Sequence, residues 1–289
     1  MSDVLTSLRQ KLGSMSRTER LVTDAVLHDP NLVLHSTITE LAESVGVSTA
    51  SVTRMCRAAG FAGYKDFRLA FASAYSREEA SREHFQVADA DISTEDSVAD
   101  LVSKVAYQEV RAIEDTARAL DLTALDAAAT ALRAASRVEA FGVGSSSLTA
   151  QDLQLKLHRI GTPTFCWSDT HLALTSVAST DERSVVLGIS HSGYTLETQQ
   201  VLALARERGA TTIAITNDAS SPVALAADIV LTTVAREAAF RTAAMSSRLA
   251  QMVIVDFLVV RVVQRNFTTA ERLLVASHDA VRAHKLPRR

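Results

Sequence analysis

The chain has 289 residues, of which 47% are hydrophobic and 22% are charged, the composition of an ordinary folded protein with room for two domains. Its formal net charge of −3 gives no overall attraction to nucleic acid, so any DNA-binding function requires a local basic surface. The two cysteines, Cys56 and Cys166, lie far apart in no metal-ligand spacing, which argues against a zinc site; we expect no cofactor and a reducing, cytoplasmic location.

Start and stop signals predict three short helices near the N-terminus. The capping boxes Ser16–Glu19 and Thr37–Glu40 begin the first two helices, because the Ser or Thr side chain and the Glu side chain each accept a backbone N–H of the other residue. Asp29–Pro30 ends the first helix. Gly46 then permits a turn with positive φ, and Ser48 caps the third helix.

The spacing of three residues in this region is typical of a helix-turn-helix motif. Ala42 is small enough for two helices to approach, Gly46 makes the turn, and Val52 packs beneath both helices. The polar face of the third helix is then free to enter a DNA groove, unless the segment is an ordinary three-helix bundle with a solvated face. From Ser48 to Arg77, Asp66 is the single acid among several bases. The predicted DNA-contact residues are Ser48, Thr49, Ser51, Thr53, Arg54, Arg57, Lys65 and Arg68.

The same segment resembles the DNA-binding domain of RpiR-type regulators. The matching stretches are Glu19–Arg20, Ile38–Ala42, Gly46–Ser48, Val52–Cys56 and Gly60–Phe67. The last stretch, Gly-Phe-x-Gly-Tyr-x-x-Phe, is the most distinctive. The resemblance implies an aromatic-sealed turn after the recognition helix, with Lys65 and Arg68 close to the DNA backbone.

Composition changes twice further along the chain, which predicts the domain boundaries. A polar linker begins near Ser76 and is followed by helical patterns rich in Ala, Glu and Arg as far as Ala135. We therefore expect a helix-turn-helix domain over residues 1–76, a linker with connecting helices over 77–135, and an α/β domain over 136–289. The connecting helices, from about Asp100 to Leu132, are the candidate route by which the two domains influence each other.

Five β-branched, apolar runs alternate with amphipathic stretches in the third zone, a pattern typical of a doubly wound parallel sheet. The predicted strands are Val138–Val143, Pro163–Cys166, Ser184–Ile189, Thr211–Thr216 and Ile229–Thr232. A long helix from about Ala243 to Gln264 closes the zone. Its apolar run, Met252–Val263, contains two charges and is shorter than the ~20 residues that a membrane span needs. We expect no membrane association.

Two loops rich in hydroxyl groups follow predicted strands, and we refer to them as the first loop (Gly142–Ser147) and the second loop (Ser190–Thr195). Each precedes a helix whose free N–H groups attract an anion, so together they predict a phosphate site, unless these serines only cap helices. A dinucleotide fingerprint would need a third glycine at Ser147, and there is no Walker lysine.

The α/β zone resembles the sugar isomerase (SIS) domain, which is found in phosphosugar isomerases and in RpiR-type regulators. The further matches are Asp152–Gly161, Ile213–Thr216, Ser221–Pro222, Ala226–Asp228, Ser247–Arg248, Gln251 and Asp256. The resemblance implies these ligand-binding residues: Gly144, Ser145, Ser146, Ser190, His191, Ser192, Gly193, Thr195 and Glu237. Glu237 would lie near the sugar hydroxyls, although a solvated surface position fits it almost as well. Tyr194 is a candidate for sugar choice, and His171 for contact across a subunit interface or a plain helix surface.

Both resemblances, in this domain order, imply a DNA-binding transcriptional regulator and not an enzyme. A phosphorylated sugar would modulate its binding to a palindromic operator of carbohydrate-metabolism genes, and the protein would act as a homodimer or homotetramer. The alternative is a phosphosugar isomerase with an accessory helical domain, in which His191 and Glu237 would be the acid–base candidates. A purely structural interaction protein would leave both loops unexplained.

Overall fold

In the computed structural model, the chain forms two compact units that divide between Ala119 and Leu120. The structure describes residues 4–12, 15–235 and 244–282. The division falls inside the segment that we expected to connect two domains, and the boundaries at residues 76 and 135 stay predictions. None of the helices in the described ranges has the length and hydropathy of a membrane span.

The first unit is helical. Its described helices are α1 (Val4–Lys11), α2 (Arg17–His28), α3 (Asn31–Leu34), α4 (Ile38–Val45), α5 (Thr49–Ala58), α6 (Tyr64–Phe85) and α7 (Val98–Ala119). Both predicted capping boxes are present, with Ser16 before α2 and Thr37 before α4. Gly46 ends α4 in the left-handed region at φ 71°, and Ser48 caps α5. These contacts confirm the predicted helix starts; α1 and α3 were not predicted.

A single core joins the helices of the helix-turn-helix. Leu41 and Ala42 of α4 pack with Val52 and Met55 of α5, and all four side chains are buried. Cys56 belongs to the same core, where burial raises the pKa of its thiol to about 12, so the thiol only packs. The small, turn-forming and branched residues therefore occupy the positions that the motif requires.

Helix α6 continues beyond the expected linker start at Ser76. Its buried positions, Phe67, Phe71, Ala74 and Glu78, recur every three to four residues, so one face stays covered past that point. Glu78 is almost fully buried and is paired with Arg82 at 2.9 Å and with Arg9 at 3.5 Å. A charged residue that looks like part of a polar linker is thus part of the packed helix.

The second unit contains the predicted five-stranded parallel sheet, in the order β2-β1-β3-β4-β5. The strands are β1 (Arg137–Gly142), β2 (Thr164–Trp167), β3 (Ser184–Ser190), β4 (Thr211–Thr216) and β5 (Ile229–Thr232). The helices are α8 (Leu122–Ala134), α9 (Ser145–Arg159), α10 (Thr170–Val177), α11 (Leu196–Glu207), α12 (Pro222–Leu225), α13 (Met245–Gln264) and α14 (Phe267–Ala280). Helix α14 was not predicted.

Helices cover both faces of this sheet. The core on one face combines α8, α9, α13 and α14 with side chains such as Val138 and Leu187, and the core on the other combines α10, α11 and α12 with Phe141 and Val186. The chain winds outward from β1 to β2 and, from β3 onward, in the opposite direction. The switch point of the fold, where ligands bind in open α/β sheets, therefore lies between β1 and β3.

Candidate functional site

The two hydroxyl-rich loops lie at this switch point. Gly142, at the end of β1, pairs in register with Ile189, so the first and second loops leave neighbouring strands at the same edge of the sheet. Helix α9 begins directly after Gly144, and α11 begins directly after Thr195. Both helices are long enough to present free N–H groups and a positive dipole end at that edge.

Glycines shape the first loop. A Cβ atom on Gly142 would stand 2.8 Å from the carbonyl oxygen of Ser146 and 3.1 Å from that of Ile189, because the first turn of α9 presses against the strand ends. Gly144 adopts φ 62° and ψ −129°, a combination that only glycine reaches without strain. These two glycines therefore allow the start of α9 to pack directly against the end of β1.

The second loop is held by its own hydroxyl groups. Ser190 Oγ lies 2.8 Å from Thr195 Oγ1 and accepts a hydrogen bond from the N–H of Gly193. Gly193 has φ 76°, and a Cβ there would lie 2.1 Å from Ser221 Oγ at the start of α12. Ser192 Oγ, which is exposed, accepts the N–H of Tyr194. The loop is therefore tightly curled, with Ser190 buried and Ser192 exposed.

The predicted ligand-binding residues differ in their exposure. Gly144 and Ser192 are exposed, Ser145, His191 and Thr195 are half-buried, and Ser146, Ser190 and Gly193 are buried. Glu237 lies outside the described residues.

Three further side chains of the second unit are Tyr194 and His171, which are sequence candidates, and Trp167. Tyr194 is exposed and donates a long hydrogen bond of 3.4 Å to Asp218, in the loop after β4. His171 is exposed in the first turn of α10. Trp167 donates to the buried Glu139 at 2.6 Å and therefore belongs to a packed polar network.

Sequence reasoning gave no role to Gln251, which the structure places against the first loop. Its side-chain amide donates to Ser146 Oγ at 3.2 Å and accepts from Thr149 Oγ1 at 3.4 Å. Gln251 is in α13, 105 residues from Ser146, so no local sequence pattern predicts this contact. The available signal for a role of Gln251 was that it is among the residues that match the SIS domain.

In the first unit, most of the predicted DNA-contact residues are exposed on α5 and at the start of α6. Thr49, Arg54, Arg57, Lys65 and Arg68 are exposed, as is the capping residue Ser48, and Thr53 is half-exposed. Ser51 differs, with 4% of its surface exposed: its hydroxyl contacts Ser48 Oγ at 3.0 Å and accepts Arg54 Nη2 at 2.9 Å. Ser51 thus supports Arg54 from beneath and does not lie on the exposed face.

An aromatic cluster seals the turn between α5 and α6. Phe61 and Phe67 meet edge-on with ring centroids 5.7 Å apart, and Tyr64 packs beside Phe67. The hydroxyl of Tyr64 donates to the carbonyl of Ser36, which ties α6 to the loop before α4. Burial raises the pKa of Tyr64, so the phenol keeps the proton that it donates. Arg68 donates to the same carbonyl at 3.3 Å.

Comparison with known proteins assigns a family to each unit. Residues 2–78 match the helix-turn-helix domain of the rpiR family, and residues 131–261 match the SIS domain. The chain is 34% identical to a helix-turn-helix-type transcriptional regulator of Caldanaerobacter subterraneus, over 99% of both chains. It is 31% identical to the helix-turn-helix-type transcriptional regulator YbbH of Bacillus subtilis, over 98% of this chain and 97% of that protein.

Solved structures give the same picture. NanR of Vibrio vulnificus, solved in complex with ManNAc-6P, is 27% identical, with a TM-score of 0.62 over 98% of this chain and 100% of that chain. The sugar isomerase domain of an RpiR transcription factor from Sphaerobacter thermophilus is 26% identical, with a TM-score of 0.57 over 62% of this chain and 98% of that one. The expected fold is confirmed, and the chain belongs to the rpiR family of transcriptional regulators, with an N-terminal helix-turn-helix domain and a C-terminal SIS domain.

Proposed function

We propose that this regulator binds operator DNA through its first unit and a phosphorylated sugar through its second, and that the sugar changes its affinity for the operator. The observation that carries the proposal is the placement of two hydroxyl-rich loops and two helix N-termini at the switch point of the sheet. The complex of NanR with ManNAc-6P supports the same ligand class. The expected targets are genes of carbohydrate metabolism.

The phosphate group would bind between the starts of α9 and α11. Backbone N–H groups of both helices donate to its oxygens, as do the accessible hydroxyls of Ser145, Ser192 and Thr195. Ser190 keeps the second loop in shape through its contacts with Gly193 and Thr195. The sugar would then extend toward Tyr194 and His191, and we keep Glu237 as a proposed contact to its hydroxyl groups.

The DNA duplex would bind across α5 and the start of α6. Arg54 and Arg57, with Thr49 and Thr53, would face the base edges of a major groove, and Ser48, Lys65 and Arg68 would contact phosphates. Two copies in a dimer, or two dimers in a tetramer, would read a palindromic operator, since half-sites follow the symmetry of the protein. A role on chromosomal DNA places the protein in the cytoplasm.

Helix α13 is the proposed route from the effector site to α8. Gln251 contacts the first loop. About 15 Å further along the helix, two arginines bind α8, the helix that follows Ala119. Arg261 Nε donates to Asp126 Oδ1 at 2.7 Å, and Arg265 donates to Oδ2 at 2.5 Å. These hydrogen bonds, from Arg265 first and then Arg261, lower the pKa of Asp126, so its carboxylate stays charged at neutral pH.

We propose no catalytic role for the site. An isomerase needs a general base over the sugar carbons, and His191 and Glu237 are the candidates that the loops and their surroundings suggest. The regulator-named relatives favour a binding site over a catalytic one, and we propose ligand contact as the role of His191. An assay for interconversion of phosphosugars tests this directly, and turnover by the purified chain would contradict it.

The function is tested by thermal unfolding of the full chain with a panel of sugar phosphates that includes N-acetylmannosamine 6-phosphate. A ligand at 100 times its Kd stabilises the folded state by about 2.7 kcal/mol, which is a readily measured rise in Tm. The unphosphorylated sugars are the matched controls. The ligand that binds is then added to a salt-dependent DNA-binding assay, where we expect a changed operator affinity. A panel that leaves Tm unchanged throughout would contradict the effector half of the proposal.

A further inference from the structure

A buried polar cluster lies directly behind the first loop. It consists of Ser146 and Thr149 on α9 and Gln251 on α13. Gln251 is 1% exposed, Thr149 is fully buried, and Ser146 is 6% exposed. Because a buried amide that lacks partners costs free energy, both ends of the Gln251 side chain are used: the oxygen accepts from Thr149 and the nitrogen donates to Ser146. With the amide nitrogen placed toward Ser146 and the amide oxygen toward Thr149, the hydrogen bonds of the cluster run in one direction.

This direction decides what the Ser146 hydroxyl offers to a ligand. Its oxygen accepts a hydrogen bond from Gln251, so its proton has to be donated elsewhere. Within residues 15–235 and 244–282, no acceptor is recorded for that proton. The neighbouring Ser147 is different, because its hydroxyl donates to the carbonyl of Gly144 at 2.7 Å. Of these two consecutive hydroxyls, one is committed to the loop itself and the other is available as a donor.

An anion at the start of α9 is the acceptor that this arrangement fits. Ser146 is the second residue of the helix, in the turn whose N–H groups have no partner within the helix. A phosphate oxygen accepts hydrogen bonds and donates few or none, so a hydroxyl that is fixed as a donor strengthens the site. A hydroxyl free to rotate would lose part of that benefit as entropy when the ligand binds.

We infer that Gln251 is a positioning residue for the effector, which orients the Ser146 hydroxyl as a hydrogen-bond donor to the bound phosphate group. The inference rests on the proposed function and extends it to a side chain outside both loops. It also means that the residue that senses occupancy of the first loop stands on α13, the helix that reaches Asp126 through Arg261 and Arg265.

The test is a double-mutant cycle on the full chain, with Kd measured by calorimetry for N-acetylmannosamine 6-phosphate and for inorganic phosphate. Gln251→Met keeps the length of the side chain and removes its hydrogen bonds, and we expect it to weaken binding about 3- to 10-fold, as the loss of one hydrogen bond does. Ser146→Ala should weaken binding by a similar factor. If Gln251 acts through Ser146, the double variant binds no more weakly than Ser146→Ala alone.

Two control variants separate positioning from packing. Gln154→Met removes a comparable hydrogen bond of α9, from Gln154 to the carbonyl of Thr164, and should leave Kd unchanged. Ser179→Ala, which removes an exposed hydroxyl after α10 and outside both loops, should also leave Kd unchanged. This second control is compared with Ser146→Ala, so it holds even if Gln251→Met does not fold.

Three results would overturn the inference. Gln251→Met could bind both probes like the wild type, or it could weaken binding as much in the Ser146→Ala background as alone, which is the behaviour of a packing residue. Alternatively, Ser146→Ala could bind both probes like the wild type. A wild-type chain that binds no sugar phosphate of the panel and no inorganic phosphate is a different result, because it overturns the effector half of the proposed function and the inference with it.

Discussion

At the scale of single residues, the two candidate sites use opposite chemistry. The proposed DNA surface has long cationic side chains at exposed positions, including Arg54, Arg57 and Lys65. Such groups attract a polyanion at long range and release its counterions. The proposed effector site has short hydroxyls and backbone N–H groups around glycines. These bind one small anion through fixed geometry.

Arg54 is the sharpest test of the DNA surface. Its guanidinium is exposed at the middle of α5 and is held by Ser51 from beneath. We expect Arg54→Ala to weaken operator binding by about 1–3 kcal/mol, the range for loss of a base-contacting arginine, without altering effector binding. Fluorescence anisotropy at fixed salt measures the change. Arg183→Ala removes the same charge from the second unit, where Arg183 pairs with Asp181, and equal losses for the two variants would show that net charge alone matters.

Ser192 is the corresponding test of the second loop. Its exposed hydroxyl accepts the N–H of Tyr194 and still has a proton to donate to a phosphate oxygen. We expect Ser192→Ala to weaken effector binding by about 1.5 kcal/mol, the lower value for a hydrogen bond to a charged group, and to leave DNA affinity in the absence of effector unchanged. Calorimetry with the effector measures the loss. Ser179→Ala, at an exposed serine after α10, is the control; an unchanged Kd for Ser192→Ala would refute this placement of the phosphate.

At the scale of elements, capping chemistry decides where helices of the DNA-binding unit begin. In both capping boxes the Glu side chain accepts two hydrogen bonds, Glu19 from Ser16 and Glu40 from Thr37. Hydrogen bonds to the ionised form lower the pKa of both carboxyl groups. The start of α4, the first helix of the motif, is therefore coupled to the charge of a single exposed residue.

This coupling predicts how the start of α4 responds to acid. The backbone N–H of Thr37, and then its hydroxyl, hold the pKa of Glu40 below its ordinary value of 4.5. The folded-state pKa is thus lower than the unfolded one, so the stabilisation is complete above the unfolded value and is lost as pH falls through the folded value. In NMR titrations, the Thr37 amide shift should change with a midpoint below pH 4.5.

Two variants check that Glu40 causes this titration. Glu40→Gln cannot ionise, so the change in the Thr37 amide shift should disappear. Glu43→Gln, at an exposed position on the same helix, should leave the change in place. A titration that persists in Glu40→Gln would show that another group reports at Thr37.

At the scale of the whole molecule, the proposed regulation requires that the effector site influences the DNA-binding unit. Binding of the effector or of the DNA alone does not require such a link. Asp126 joins α8 to α13 through Arg261 and Arg265, at the end of α13 opposite to Gln251. We expect Asp126→Asn to leave Kd for the effector unchanged and to reduce the factor by which the effector alters operator affinity. That factor corresponds to a coupling free energy of typically about 1–3 kcal/mol, so its loss is measurable.

The measurement is operator affinity with and without saturating effector, for the wild type and the variant. Asp181→Asn, which disturbs an exposed ion pair with Arg183, is the control and should keep the full response. If Asp126→Asn keeps the full response as well, the coupling follows another route. If it loses effector binding, Asp126 supports the fold of the effector site and not the transmission.

Local patterns predicted most of the fold, because strands, caps and turns depend on neighbours in sequence. The predicted strand Thr211–Thr216 matches the structure residue for residue, as does Ile229–Thr232. Helix α14 and the length of α6 were missed, since their buried faces depend on contacts with distant elements: Leu273 of α14 packs near Gly161, and Glu78 of α6 pairs with Arg9. In the sequence, a polar residue such as Glu78 is typical of a linker. Only its ion pair with a residue distant in the chain shows that it belongs to a packed helix.

By itself, the sequence determined which segments become the five strands, where the capped helices of the DNA-binding unit begin, where the two hydroxyl-rich loops stand, and which family the chain resembles. Those properties follow from residue periodicity and from glycine and capping chemistry. Only the tertiary structure decided that Ser51 lies beneath Arg54, that Gln251 meets Ser146, and that α13 reaches Asp126. The physical reason is that the direction and the burial of a hydrogen bond depend on both of its partners. In two of these pairs the partners lie more than 100 residues apart in the sequence.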